Sequence, residues 1–216
     1  MIRRTYSILF AVPLMTLMAC GPQASQEPAA PESAEAEPVT PVEPEPSPQD
    51  AFWANLTNLC GQAFAGRMTS NDEVDADFAD QVMTMHVRRC ADDRLEIPFH
   101  VGENRSRTWV LTRTDDGLKL QHDHRHEDGG EDAVTLYGGS TAEPGEATVQ
   151  LFPVDEYSKE LFVANGLDAS VTNVWSFEID PGQRFSYVLR RPERHFQADF
   201  DLTSAVPEPP APWGFE

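Results

Sequence analysis

The chain has 216 residues, with 36 acidic side chains against 16 basic ones and a net charge of −20 when histidine is neutral. No basic run of the kind that follows a phosphate backbone occurs in residues 50–216, so we expect no nucleic-acid partner. An anionic membrane would also repel this region, so surface charge would not attach it to a bilayer. Residues 50–216 are numerous enough for one domain with its own core.

The N-terminal residues have the layout of a secretory signal. Arg3 and Arg4 precede an apolar stretch at residues 8–18, and the small residue Ala19 stands before Cys20. The apolar stretch is too short to span a bilayer, so the pattern is typical of a cleaved signal and not of a membrane-spanning helix. We therefore predict a signal peptide over residues 1–19.

The end of this signal resembles the lipobox of bacterial lipoproteins, since it consists of Leu17-Met18-Ala19-Cys20. The resemblance implies that Cys20 becomes the first mature residue and carries a diacylglyceryl thioether, usually with an amide-linked acyl chain. Two acyl chains hold a protein stably on a membrane, so Cys20 would be the anchor. In a bacterium with two membranes, the resemblance implies that Gly21 favours the outer membrane, facing the periplasm. Two alternatives stay open: an ordinary signal in which Cys20 is incidental, and a twin-arginine signal built on Arg3-Arg4.

Residues 20–49, which include the lipid position, are rich in proline and glutamate and contain no lysine, arginine or aromatic residue. Such a segment buries too little apolar surface to offset the entropy of ordering it, so we predict disorder. Proline and mutually repelling glutamates favour an extended chain. We expect a semi-stiff spacer, the alternative being a tail with no positional role.

Cys60 and Cys90 are the only cysteines after Cys20. In an exported, oxidising compartment an isolated pair is more often bridged than free, so we predict a Cys60–Cys90 disulfide. The spacing excludes a CxxC redox motif, and no further cysteine remains for a thiolate zinc site.

Two short helices are predicted in residues 50–205. Phe52, Leu56 and Leu59 have the spacing of one helical face, and a second helix is expected at residues 155–164, before Asn165-Gly166. Most of the remaining sequence alternates apolar and polar residues between turn sequences, which is typical of antiparallel strands. Strands are predicted at residues 62–68, 81–88, 95–101, 108–114, 118–126, 133–137, 147–152, 175–179, 185–189 and 196–202.

This pattern predicts an all-β, mainly antiparallel fold, either a single barrel or a sandwich. The lead-in helix, the successive hairpins and the late helix resemble the lipocalin group of calycin barrels, in which Gly61-Gln62-Ala63-Phe64 would replace the Gly-x-Trp signature. Residues 101–109 and 122–128 also resemble uncharacterised bacterial exported proteins. In a barrel we expect an apolar interior lined by Phe64, Met83, Met85, Phe99, Trp175, Phe177, Tyr187, Phe196 and Phe200.

His122, His124 and His126 form the first candidate site. Alternate residues of a strand share a face, so the three rings would stand in a row on the same face as Leu118 and Leu120 and line an interior or a barrel mouth. Neutral imidazole is the commonest metal ligand, so the row could hold zinc or copper, with His122 and His124 as the best pair. The alternative is a solvated polar strand end that leads into an acidic turn.

Arg105, Arg107 and Trp109 form the second candidate. Arginine offers a planar fork of donors and stacks on rings, so this group could bind an anionic or aromatic ligand, the alternative being cross-strand ion pairs. The acidic residues 72–80 lack the ligand spacing of an EF-hand and are expected to form a solvated loop. The proline-rich tail, residues 206–216, is expected to be pinned across one end of the domain by Trp213 and Phe215, the alternative being a loose tail.

No phosphate-binding loop, dinucleotide fingerprint, Gly-x-Ser-x-Gly or His-Glu-x-x-His occurs, so we expect a protein without catalytic activity, although residues distant in sequence could still form a catalytic site. The leading hypothesis is a lipid-anchored envelope domain that binds a small apolar or amphipathic ligand, or a partner protein. One alternative is a structural or assembly lipoprotein without a ligand. The other is metal binding or metal-assisted hydrolysis by the histidine row.

Overall fold

The computed structural model describes residues 45–215, so the signal layout, Cys20 and most of the spacer lie outside the described residues. Two α-helices occur in this range, α1 (Pro48–Thr57) and α2 (Glu156–Ala164), with 3-10 helices at Glu73–Phe78 and Asp168–Thr172. The strands are β1 (Ala63–Met68), β2 (Met83–His86), β3 (Arg89–Cys90), β4 (Arg94–Val101), β5 (Asn104–Thr114), β6 (Gly117–His124), β7 (Tyr137–Ser140), β8 (Val149–Pro153), β9 (Val174–Asp180), β10 (Arg184–Arg191) and β11 (Arg194–Asp201).

All the strands belong to one antiparallel sheet in the order β7-β6-β5-β4-β2-β1-β11-β10-β9-β8, and β3 pairs with β4. The sheet curls until its two edge strands meet. The backbone amide of Asp155 donates to the carbonyl of Gly138 at 3.0 Å, and Gly139 forms a bridge with Val154. The sheet is thus nearly closed into a barrel, and the predicted all-β barrel class is confirmed.

Two adjacent glycines make this closure possible. A Cβ atom at Gly139 would overlap the carbonyl oxygen of Pro153, and one at Gly138 would overlap the carbonyl oxygen of Leu120. Strand β7 therefore approaches its neighbours more closely than a residue with a side chain would permit. Glycine inside a strand commonly marks such a close backbone approach. We call Gly138 and Gly139 the seam glycines.

Large apolar side chains fill the inside of the barrel. The Trp109 ring lies 4.6 Å from the ring centroids of both Phe99 and Tyr187, and Phe177 meets it edge-on at 5.5 Å. Aromatic pairs at such separations add stabilisation beyond the area they bury. The interior residues expected from the alternation are all buried, namely Phe64, Met83, Met85, Phe99, Trp175, Phe177, Tyr187, Phe196 and Phe200.

Helix α1 packs against the end of the barrel where β5 and β6 are joined. Ser47 caps the helix by accepting a hydrogen bond from the amide of Asp50, and Phe52 and Leu56 are fully buried in the core. The Asp50 carboxylate pairs with Arg113 near the end of β5. Both predicted helices are present, although Leu59 lies in the turn after α1.

Neither α-helix within residues 45–215 is long and apolar enough to cross a membrane.

Cys60 and Cys90 form a disulfide, as predicted, with their Cα atoms 6.3 Å apart. Cys60 follows α1 and Cys90 lies in β3, so the bond joins the lead-in segment to the barrel wall.

Residues 133–136 and 72–80 differ from the predicted local structure. Residues 133–136 are irregular and not a strand: Leu136 has a φ of 57°, and only Tyr137 of the predicted strand lies in β7. Residues 72–80 are not simply a solvated loop, since Glu73–Phe78 is a 3-10 helix in which Asp75 is 3% exposed. Asp75 is buried because it pairs with an arginine that is distant in sequence, described below.

The C-terminal tail lies along the outer face of the barrel. The amide of Val206 donates to the carbonyl of Ala63, and the amide of Trp213 donates to the carbonyl of Arg105. The Phe215 ring lies 4.7 Å from the guanidinium carbon of Arg125. The barrel therefore holds the tail at several points, from Val206 to Phe215.

Candidate ligand cavity

A cavity of about 180 Å³ lies at the end of the barrel opposite α1. Strands β4, β5, β6, β7, β10 and β11 contribute to its walls, and the 3-10 helix Glu73–Phe78 lies beside it. We call it the end cavity. Its lining residues are Asp75, Phe78, Phe99, Arg107, Thr108, Trp109, His122, His124, Tyr137, Tyr187, Leu189, Arg194 and Phe196.

The alternation of β5 and β6 brings both candidate sites to this one place. In the register of this pair, Trp109 faces His122 and Arg107 faces His124. Side chains two residues apart share a face, so all four line the end cavity. The sequence predicted each group separately, and the sheet joins them.

His122 is buried, and both of its ring nitrogens are occupied. Nδ1 lies 3.1 Å from the carbonyl oxygen of Tyr137, so it carries the proton and donates, and Nε2 accepts from the Tyr187 hydroxyl at 2.9 Å. Burial, followed by the neighbouring His124, lowers the pKa of His122 to about 3. The ring is thus neutral and fixed in one tautomer, with neither nitrogen available to a ligand.

His124 contributes a second neutral imidazole. Burial, and next the charge of Arg107, lower the pKa of His124 to about 4. Its Nε2 lies 3.2 Å from the Tyr137 hydroxyl, and burial raises the pKa of that phenol well above its usual range. Near neutral pH, His124 and Tyr137 are therefore uncharged hydrogen-bonding groups on the cavity wall.

His126 does not join the other two histidines. Strand β6 ends at His124, and His126 is exposed in the turn that follows. Among residues 45–215, no three His, Cys, Asp or Glu side chains stand close enough together to hold a metal ion. The described part of the chain therefore provides no ligand set for the predicted zinc or copper site.

Arg107 carries a partly buried charge in the cavity wall. Its Nη1 donates to the side-chain oxygen of Asn104 at 3.2 Å, and its guanidinium carbon lies 5.7 Å from the Phe78 ring centroid. Burial lowers the pKa of Arg107, and the nearby ionisable groups that act against this shift are the phenols of Tyr137 and Tyr187. No carboxylate in residues 45–215 forms an ion pair with Arg107.

The other charges of the end cavity neutralise each other. Arg194 donates two hydrogen bonds to the Asp75 carboxylate, of 2.5 and 2.7 Å, and its Nη1 also lies 2.9 Å from an oxygen of Asp72. Asp72 accepts a further bond from the backbone amide of His195. These bonds attach the 3-10 helix Glu73–Phe78 to β11 beside the cavity.

Arg105 lies outside the end cavity. Its Nη1 donates to the carbonyl of Ala211 at 2.6 Å, so its side chain contacts the C-terminal tail. Of the second candidate group, only Arg107 and Trp109 line the cavity.

A second cavity, of about 230 Å³, adjoins the first. The two share His124, Tyr137, Tyr187 and Leu189, and the second is bounded on its far side by residues of α2 and of Asp168–Thr172. A larger hollow, of about 490 Å³, is lined mostly by polar residues in or next to β1, β10 and β11. There the Asp199 carboxylate already accepts bonds from Ser186 and Gln197, so we regard the end cavity as the better candidate.

The neutral state of His122 predicts a pH-dependent stability. Its pKa in the folded chain, about 3, lies below its usual 6.5, so the unfolded chain binds a proton first and stability is lost as the pH falls below about 6.5. At pH 5 this amounts to about 2 kcal/mol. In His122→Gln, whose amide can donate to Tyr137 and accept from Tyr187 without titrating, the loss between pH 7 and pH 5 should be smaller by that amount in urea denaturation.

The control is His126→Gln, which changes an exposed histidine and should keep the pH dependence of the parent. Parallel stability curves for the parent and His122→Gln would contradict a neutral, buried His122.

The sequence singled out Arg107, Trp109, His122 and His124 as candidate binding residues, and it placed Phe99, Tyr187 and Phe196 in the interior. It missed Asp75 and Arg194, because they are 119 residues apart and neither stands in a recognisable motif. The position of Tyr137 beside the histidines also depends on strand pairing, since Tyr137 lies opposite His122 in the β6–β7 pair. No protein-family model, no curated protein and no solved structure matches this chain.

Proposed function

We propose that this chain is an exported envelope lipoprotein whose barrel binds a small amphipathic ligand in the end cavity. The observation that carries the proposal is a concave site with mainly aromatic walls and a few polar groups that converge on it, which is the usual make-up of a small-molecule site. His124, the Tyr137 hydroxyl and Arg107 supply the polar groups, and Phe99, Trp109 and Phe196 are among the apolar ones.

The rest of the barrel supports binding at the end and not throughout the interior. Trp109 and its aromatic neighbours fill the middle of the barrel, so a ligand would lie above this packed layer. An apolar cavity of about 150 Å³ is large enough to bind benzene. The end cavity is comparable in volume, so a ligand with a single ring or a short chain fits it.

The anchor rests on the sequence. The basic start, the apolar stretch, Ala19 and Cys20 support lipidation, and a net charge of −20 makes attachment through surface charge unfavourable. A lipid on Cys20, followed by the proline-rich spacer, would keep the domain at an envelope membrane. The outer membrane facing the periplasm is the location that Gly21 favours.

The anchor is tested with the full chain and with Cys20→Ser. The full chain should be recovered in the membrane fraction, with a mature mass that begins at Cys20 and includes the acyl groups, whereas Cys20→Ser should lack the acyl mass. An unmodified Cys20 in the mature parent chain would overturn the lipoprotein proposal.

Ligand binding is tested by native mass spectrometry of residues 21–216, exported behind a cleavable signal peptide and purified without chelator or affinity histidines. A retained small-molecule mass should disappear in Leu189→Trp, which fills the end cavity, and persist in Leu151→Trp, which adds the same ring at a position that is 54% exposed. A bare polypeptide with only the disulfide would favour the structural or assembly role, and a retained metal would favour the metal hypothesis.

A further inference from the structure

We propose that the ligand of the end cavity is a small aromatic monocarboxylate, with its carboxylate on Arg107 and its ring among the aromatic side chains. This inference rests on the proposed function and adds the chemical class of the ligand. The observation that carries it is the Arg107 guanidinium, which forms no ion pair within residues 45–215 and lies in an aromatic cavity whose other charged side chains, Asp75 and Arg194, pair with each other.

The first step concerns the donors of Arg107. A guanidinium has five N–H donors. Within residues 45–215, Arg107 donates one hydrogen bond, to the side-chain oxygen of Asn104. Burying a charge without a partner is costly, so a site of this kind gains stability when an anion enters. A carboxylate matches the planar fork of arginine and can accept two of its hydrogen bonds at once.

The second step concerns the competing charges. Asp75 also lines the cavity, but each of its oxygens accepts a hydrogen bond from Arg194. His122 and His124 are neutral, since the pKa of each lies far below neutral pH. Arg107 is therefore the one charged side chain of the end cavity that lacks a counter-charge in residues 45–215. Aromatic faces can attract a cation, but the charge of Arg107 favours an anionic ligand.

The third step concerns the shape of the ligand. The Phe99, Trp109 and Tyr187 rings cluster beside Arg107, with Phe99 directly opposite it in the β4–β5 pair. Rings in such a cluster offer faces and edges to another ring. A cavity of about 180 Å³ accommodates one ring with a carboxylate, and the His124 and Tyr137 pair can hydrogen bond to a substituent on that ring.

The experiment compares benzoate with benzyl alcohol, a neutral molecule of similar size, by calorimetry on residues 21–216 carrying the disulfide. We expect benzoate to bind more tightly than benzyl alcohol. Loss of the charge-assisted bonds in Arg107→Gln should weaken benzoate by about 10- to 100-fold and leave benzyl alcohol nearly unchanged. Arg107→Lys, which keeps the charge but not the fork, should fall between the parent and Arg107→Gln.

The matched control is Arg113→Gln, which removes the same charge from the other end of β5, outside the cavity, and should bind benzoate like the parent. Thermal unfolding of each variant verifies that it is folded. Equal binding of benzoate by Arg107→Gln and the parent, or tighter binding of octanoate than of benzoate, would overturn the inference and leave the proposed function standing. Failure of benzoate, benzyl alcohol and octanoate alike to bind, together with no retained small-molecule mass in the native mass spectrum of residues 21–216, would overturn both.

Discussion

Replacing Gly139 by alanine is expected to destabilise the protein by about 3 kcal/mol, at the upper end of the usual cost of overpacking. The added Cβ would overlap the carbonyl oxygen of Pro153, which belongs to the backbone and cannot rotate away. The strands at the closure must therefore separate. Urea denaturation measures the loss, and hydrogen exchange at the amide of Asp155, which bonds across the closure to Gly138, should become faster.

Gly130→Ala is the matched control for this prediction. The nearest group to an added Cβ at Gly130 is the end of the Asp128 side chain, at 3.1 Å, and Gly130 lies outside the sheet. We expect its unfolding free energy to change by less than about 1 kcal/mol. If Gly139→Ala and Gly130→Ala were equally stable, the close approach of β7 to β8 would be contradicted.

Removal of the disulfide in Cys60→Ala, Cys90→Ala should lower the free energy of unfolding by roughly 3 to 4 kcal/mol. The two residues are 30 positions apart, so the bond removes a large share of the freedom of the unfolded chain. Denaturation of the oxidised parent and of the double variant, each measured with and without a reducing agent, gives the difference directly. The reductant should destabilise the parent to about the level of the variant.

The variant itself should not respond to the reductant, because no disulfide remains in it, and Cys20→Ser should behave like the parent. Coincident denaturation curves for the oxidised parent and the double variant would show that the bond contributes nothing to stability.

The strand pattern predicted most of the barrel because each strand faces the core on one side. Alternation over residues 196–202 led to β11, and the apolar helical spacing of Phe52 and Leu56 led to α1. Alternation does not reveal what a strand end contacts, however. The prediction extended β6 to His126, whereas the strand ends at His124, and this removes the third member of the histidine row.

The seam glycines show a different limit. In the sequence, Gly138-Gly139 is typical of a turn, but in the structure both residues lie inside β7. Their role comes from the carbonyl groups of Leu120 and Pro153, which belong to two other strands. Closure of the barrel therefore depends on a contact that only the assembled sheet defines, and the same holds for the Asp75–Arg194 pair.

The position of α1 bears on how a ligand would reach the end cavity. Whatever precedes residue 45 joins the barrel through α1, and Asp50 of that helix contacts Arg113. Arg107 lies six residues along the same strand, a separation of about 20 Å at the usual rise. Within the described residues the chain thus enters the barrel at the end remote from the end cavity, so a ligand can reach Arg107 without passing α1.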